Sequence, residues 1–600
     1  MRKVKWIFFG YLAVVGLLVF LLGISLVVTP PRRADTFYTF YVANLKTLDP
    51  AEISDVESAA IVGNVFETLY NYQYGVQPYR LFPQVAAEMP QITDEGKTVT
   101  IKLRKGIRFY DPWKKVFPNG EGPEIKAQDF VYSWKRVSNF HLGNTANYGA
   151  MFEGKIVDLE EWWDYTKAQP KDAIDWDRPV KGFTALDDYT IQIKLVQPYP
   201  QLVFNLAHMP TAAVCRKAAE TLKDDFKKYP IGSGPFVITD HLQEQRVVLD
   251  ANPIYRGRFD VDGYTKVPDE ERLPRMKRIQ VDYFAEPVPR WLLFRQGLFD
   301  VSTIPRDAFN QAIGGATGEL TPEMVKDGVV LKKSEVAELF YTGFNMLDKV
   351  VGKNKPLRQA ISMAYDRDAF IRIHLNGRGV PANGPIPPGF PTYDPKRVAR
   401  YCQFNLAEAK KKLAEAEQIN GGPIPELTYL MGGTETQARQ YAEFFVSQMA
   451  QIGLKVKFEL RTWARFQEMI DDKQAQIFSL GWVADYPDEQ TFLQLFYSKN
   501  AGQGGVNSSN YSNPEFDKLY EEAVVMEPSP KRAELYRKMQ DVVTEECPWV
   551  YEYYPLAYTL SYNWLKNYFP MEYGNGQKMS WCYIKVDTAA RDLWHKQNRR

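Results

Sequence analysis

The sequence predicts an α/β protein built as more than one domain. Two observations carry that expectation. In the C-terminal third, residues 427–431, 437–452, 455–460, 465–471 and 477–480 read as strand, helix, strand, helix, strand. Two such steps make a parallel sheet, because parallel neighbours need a crossover and a helix supplies it. The second observation is length: 600 residues exceed what one hydrophobic core holds, so two or three domains are expected.

Composition narrows the class. The chain is 45% hydrophobic and 24% charged, the balance of a globular protein. Lys+Arg 74 against Asp+Glu 73 leaves a net charge of +1, so no global field draws nucleic acid or an acidic partner. Aromatics reach 14%, with Tyr 36 and Trp 13, a surplus that suits binding clefts as well as large cores. Cys215, Cys402, Cys547 and Cys582 form no CxxC, so their spacing offers no zinc or redox motif; an exported protein could hold one or two disulfides, with free buried thiols the default.

Residues 7–29 are apolar or small throughout, with no charge between Lys5 and Arg32. About 20 such residues span a bilayer as a helix, whereas a signal peptide has an apolar region of about 7–15. Residues 1–30 are therefore a membrane anchor or signal segment. The length of the run favours an uncleaved anchor, Gly23-Ile24-Ser25 is only a weak cleavage site, and no cysteine follows for lipidation. A single-pass cell-membrane protein with a periplasmic or extracellular domain is expected.

The remaining elements follow in order. Residues 37–42 read as a strand and 56–70 as a helix burying Ala59, Val62, Phe66 and Leu69. Val99, Ile101 and Leu103 alternate as a half-buried strand, as do Ile191, Ile193 and Leu195. Residues 126–137 read as a helix with Phe130, Val131 and Trp134 inward. The bend at 229–236 carries Gly232 and Gly234, but no GKS/T follows and Pro235 lacks a donor N–H, so it is no phosphate loop. Residues 356–371 read as one helix opened by Pro356. Residues 379–391 hold five prolines and form a rigid extended loop. Residues 405–417, 514–525 and 530–545 are amphipathic helices.

The most informative stretch follows the last strand of the parallel sheet, where ligands of open α/β sheets bind. It carries Gly481, Trp482, Val483, Asp485 and Tyr486, then Pro487. A solvated loop whose Trp packs on the sheet has the same composition. Catalytic chemistry finds no support. No two of the five histidines stand at helical ligand spacing, and neither HExxH nor GxSxG occurs. No catalytic residue, metal site or cofactor is expected.

Several segments carry a family resemblance in their joint order. They are Leu48-Asp49-Pro50, Phe66-Glu67-Thr68-Leu69-Tyr70, residues 94–97 and 101–109, residues 126–133, and Gly232-Ser233-Gly234-Pro235 before Asn252-Pro253-Ile254-Tyr255. Leu357-Arg358-Gln359-Ala360, Tyr365-Asp366-Arg367 and Trp482-Val483-Ala484-Asp485-Tyr486 complete the set. Over residues 40–560 the chain resembles the bacterial family 5 extracellular solute-binding proteins of ABC importers, the oligopeptide-, dipeptide- and nickel-binding type. The resemblance implies a bilobed periplasmic-binding-protein-like fold with a hinge and an extra domain. Lobe I would comprise 36–80, 182–336 and 554–600, the extra domain 81–181, and lobe II 337–553, with crossings near 340–344 and 550–554.

The resemblance further implies a monomer that captures an extended peptide and delivers it to permease subunits. Asp485 would pair with the peptide α-amine, and backbone groups around Gly481–Val483 would bond its main chain. No basic residue lies between Gln474 and Ala484 to hold a peptide carboxylate, and the Trp-rich insert at 153–178 has no assigned role. A non-peptide solute such as a sugar or metal chelate, a sensor, and an anchored hydrolase remain as alternatives.

Overall fold

The computed structural model describes residues 33–76, 79–142, 145–257, 272–314, 318–397, 399–502, 505–569 and 580–598. The expected N-terminal helix lies outside them. No helix of the described residues is long and apolar enough to cross a membrane.

Three sheets organise the chain. The first has four strands in the order Thr36–Tyr41, Arg278–Tyr283, Arg246–Ala251, Phe236–Leu242. Its first pair is parallel and the others antiparallel. Alternation sends Phe37, Ile279, Val281, Val247, Leu249 and Ile238 to the core, all at most 1% exposed. The 229–236 bend lies close by. A Cβ on Gly232 would stand 2.1 Å from the Val65 carbonyl oxygen, so that glycine serves close backbone packing.

A second sheet orders Gln91–Thr93, Thr98–Lys102, Thr190–Lys194 and Phe183–Asp187, all antiparallel. Helix Ala127–Val137 contributes Phe130 and Trp134, both 0% exposed. The insert packs onto that helix. Trp162, on helix Leu159–Ala168, donates its indole N–H to the Lys135 carbonyl at 3.0 Å. Trp176 meets the Tyr132 ring at 5.0 Å.

The third sheet positions the site. Its path runs Val301–Thr303, Trp549–Tyr562, Glu338–Phe344, Ile477–Val483, Leu427–Gly432, Val456–Arg461. Leu427–Gly432 pairs in parallel with Val456–Arg461 and with Ile477–Val483, as the strand–helix–strand pattern predicts. The crossover helices are Thr436–Ala450 and Trp463–Asp471. The 14-residue strand Trp549–Tyr562 serves two sets of neighbours. Its first half pairs with Glu338–Phe344 and Gly379–Pro381, and its second with Val301–Thr303 and Val329–Glu335. A buried Glu552 ties the first half to its neighbour, accepting from the Thr342 hydroxyl at 2.6 Å and the Tyr365 hydroxyl at 3.3 Å. Burial pushes its carboxyl up to about 7.

Two helices differ from expectation. Residues 356–371 form not one helix but Lys355–Ala364 and Arg367–His374. Tyr365 is extended, and the Asp366 carboxylate caps the second helix by accepting from the Ala369 N–H at 2.9 Å. The helix expected over 56–70 ends at Val62. Gly63 closes it, and the Asn64 amide donates to the Ala60 carbonyl at 2.8 Å. The apolar face continues into the following turn, which is why periodicity overran the end.

Candidate functional site

Strand Ile477–Val483 is paired on one side along its whole length, from Phe344↔Ile477 to Glu338↔Val483. On the other side it meets Leu427–Gly432 only at Tyr429↔Ile477 and Leu430↔Phe478. Residues 479–483 therefore present an unpaired edge among the described residues. The Ala484 N–H donates to the Ala337 carbonyl at 2.8 Å. Backbone groups alternate sides along an antiparallel strand, so those of Trp482 face the Glu338–Phe344 strand. Those of Gly481 and Val483 face the open edge. Gly481 is required locally, because a Cβ there would lie 2.9 Å from the Phe340 ring.

Asp485 stands just beyond this edge. Its N–H donates to the Thr491 hydroxyl oxygen at 3.0 Å, and the hydroxyl lies 3.2 Å from Oδ2. Oδ1 faces His208 Nε2 at 3.7 Å, with the two side chains 30% and 17% exposed. Burial pushes the Asp485 carboxyl up to about 7, against the lowering effect of Thr491. Burial also pulls the His208 imidazole down to about 4, so at neutral pH that ring carries no charge. Among the described residues no lysine or arginine pairs with Asp485.

The loop carrying Asp485 is held from below. Buried Asp488 accepts from Arg532, Tyr536 and the Gln490 N–H, and so fixes the turn into the helix Gln490–Leu493. Glu489 accepts from the Thr392 N–H at 2.9 Å, which anchors the proline-rich 379–391 region to the same loop.

The structure brings Gly481, Val483 and Asp485 together along one edge. Trp482 is half-buried, its indole N–H 3.4 Å from the Thr491 hydroxyl. Tyr486 is buried. Its ring stacks on Phe204 at 5.6 Å, and its hydroxyl bonds Gln490, which in turn bonds Tyr520. Sequence reasoning missed His208 and Glu338. His208 arrives from a segment 277 positions away, and no periodicity marks it. Glu338 did carry a signal, being an acid at the head of an apolar strand.

A family model described as bacterial extracellular solute-binding proteins, family 5, middle, matches residues 80–504. The chain belongs to this family. Among its relatives, the heme-binding protein A of Haemophilus influenzae is 25% identical over 484 residues, 79% of each chain. The oligopeptide-binding protein OppA of Bacillus subtilis is 23% identical over 520 residues, 84% of this chain and 85% of that one. The Helicobacter pylori periplasmic binding protein DppA, solved with a bound peptide, superposes with a TM-score of 0.76 at 23% identity, covering 92% of this chain and 98% of the other. The fold of this family 5 protein is thus the bilobed α/β fold of periplasmic binding proteins. The family is one of extracellular solute binders, not of enzymes.

Proposed function

We propose that this family 5 protein is the substrate-binding component of an ABC importer. It captures extended peptides outside the cytoplasmic membrane and delivers them to permease subunits. The observation that carries this reading is Asp485, a desolvated carboxyl with no lysine or arginine partner among the described residues, at the end of a strand edge unpaired among them. A peptide supplies both missing partners. Its main chain adds a strand along Gly481–Val483, and its α-ammonium meets Asp485. Such contacts read the backbone and tolerate many side chains.

In this reading residues 36–80, 182–336 and 554–600 form lobe I, 81–181 the extra domain and 337–553 lobe II. The adjacent strands Glu338–Phe344 and Trp549–Tyr562 carry the two crossings, and bending there closes the lobes on ligand. Residues 1–30 hold the domain at the outer face of the membrane.

Calorimetric titration of one free and one N-acetylated peptide against wild type and Asp485→Asn tests the reading. The free peptide should lose roughly 2–5 kcal/mol on the variant, the scale for removing one partner of a buried charge pair. The acetylated peptide should bind both proteins poorly. Equal affinities in all four combinations would remove the support for peptide capture.

A further inference from the structure

Glu338 stands directly opposite Val483 in the antiparallel ladder. Residues opposite one another share a face, so Glu338, Phe340, Gly481 and Val483 lie together on one face beside the open edge. Phe340 stacks on Tyr553 at 4.8 Å, Tyr553 on Phe370 at 5.5 Å, and Phe370 meets Tyr441 edge-on at 4.9 Å. An acid thus opens a face that continues in four aromatic rings. Burial, then Tyr441, Glu552 and Glu338, raise the Tyr553 hydroxyl well above its ordinary value, so Glu338 lies close enough for its charge to act there.

Nothing in the fold explains a carboxyl at this position. Glu338 is half-buried and caps no helix, and its side chain has no hydrogen-bond or ion-pair partner among the described residues. Burial alone pushes its carboxyl up to about 7. An unpaired desolvated acid weakens a fold, and a cation from outside the chain would reverse that cost.

We propose that Glu338 is a specificity-determining residue that takes a cationic side chain, lysine or arginine, near the N-terminus of the bound peptide. This inference rests on the peptide reading of the Gly481–Asp485 edge. A strand added to that edge lies two strand spacings from Glu338–Phe344, roughly 9–10 Å. A ligand residue paired opposite Val483 points to the Glu338 face. With the α-amine at Asp485, two positions further on, that residue is the first or second of the peptide. A short side chain stops over Val483. A long basic stem lies along Val483 and the Phe340 ring and carries its charge to the carboxylate, and the ring face adds a cation–π contact.

The test uses tripeptides with lysine, norleucine or glutamate at the first or second position and alanine elsewhere. Each is titrated against wild type, Glu338→Gln and Asp485→Asn. At one of the two positions lysine should bind wild type at least about tenfold tighter than norleucine, and glutamate more weakly than both. Glu338→Gln should abolish the lysine advantage, bringing the ratio of lysine to norleucine affinity to about one. Equal binding of lysine and norleucine by wild type, or a lysine advantage that survives Glu338→Gln, overturns the proposal. Where all peptides bind wild type equally and weaken on Asp485→Asn, only the role of Glu338 falls. Where none binds wild type, the peptide reading falls with it.

Discussion

Asp488 and Arg532 form a two-pronged ion pair, Nη1 to Oδ2 at 2.7 Å and Nη2 to Oδ1 at 3.0 Å, with the side chains 8% and 4% exposed. Three residues earlier, Asp485 is more exposed, at 30% of its side chain, and has no such cation among the described residues. One loop therefore holds a satisfied acid and an unsatisfied one. The satisfied acid keeps the loop in place, and the unsatisfied one is the group that the proposed peptide α-ammonium would meet.

Removing the cation from the satisfied acid should be costly. Arg532→Met leaves Asp488 buried and unpaired, which costs about 3–5 kcal/mol. Thermal unfolding should show a lower Tm for Arg532→Met. Adding Asp488→Asn to it should restore part of the loss. A single variant as stable as wild type would mean that the pair does not hold the loop.

Removing the charge from the unsatisfied acid should do the opposite in the ligand-free protein. The Asp485 carboxyl titrates at about 7 when folded, against an ordinary value of 3.8. Between those values the folded chain keeps a proton that the unfolded chain has lost. Stability therefore falls as pH rises through that window and stays low above it. Asp485→Asn lacks this contribution, while Glu338 and Glu552, also pushed up to about 7, act in both proteins and cancel in the difference. The Tm of the variant should exceed that of wild type at pH 8, by an amount equivalent to about 1–3 kcal/mol, and the gap should close at pH 4. A gap independent of pH would contradict the assignment.

Peptide affinity should follow the same group with the opposite sense. An α-ammonium needs the charged carboxylate, so binding should weaken as pH falls below about 7, approaching tenfold per pH unit once the site is mostly protonated. His208 stays neutral until about 4 and does not contribute in that range. Titrations at pH 5, 6, 7 and 8 check this. A flat profile would mean that Asp485 is already charged in the empty site.

Gly481→Ala should disturb the edge itself. The new Cβ would approach the Phe340 ring to 2.9 Å, and Phe340 is held by its stack on Tyr553. Overpacking of this kind costs about 1–3 kcal/mol. Calorimetry should show weaker peptide binding along with a lower Tm, whereas the solvent-facing Gly502→Ala, at an ordinary φ of −61° and with no atom within 4 Å of the added Cβ, should leave peptide binding unchanged.

The parallel sheet was legible because the alternation of Val456, Phe458 and Leu460 and the helix stripe from Ala438 to Met449 are local signals. The position of Asp485 beyond the last strand followed from the same pattern. Helix ends were harder to read. Ile361, Ala364 and Ile371 keep one helical phase across the break at Tyr365, and only the capping bond of Asp366 separates the two helices. The contacts that give Asp485 its character were not legible at all. The nearness of His208, and the lack of a lysine or arginine partner among the described residues, depend on chain segments far apart in sequence, and no period links them.

The unpaired edge along residues 479–483 has a cost for the molecule as a whole. A row of free backbone donors and acceptors pairs as readily with a strand of a neighbouring molecule as with a peptide. Here its end is covered where Phe204 stacks on Tyr486 and His208 reaches Asp485. The segment that carries Phe204 and His208 thereby screens this end of the edge from other copies of the chain. Loosening these few contacts would expose an adhesive strand and lower the colloidal stability of the protein.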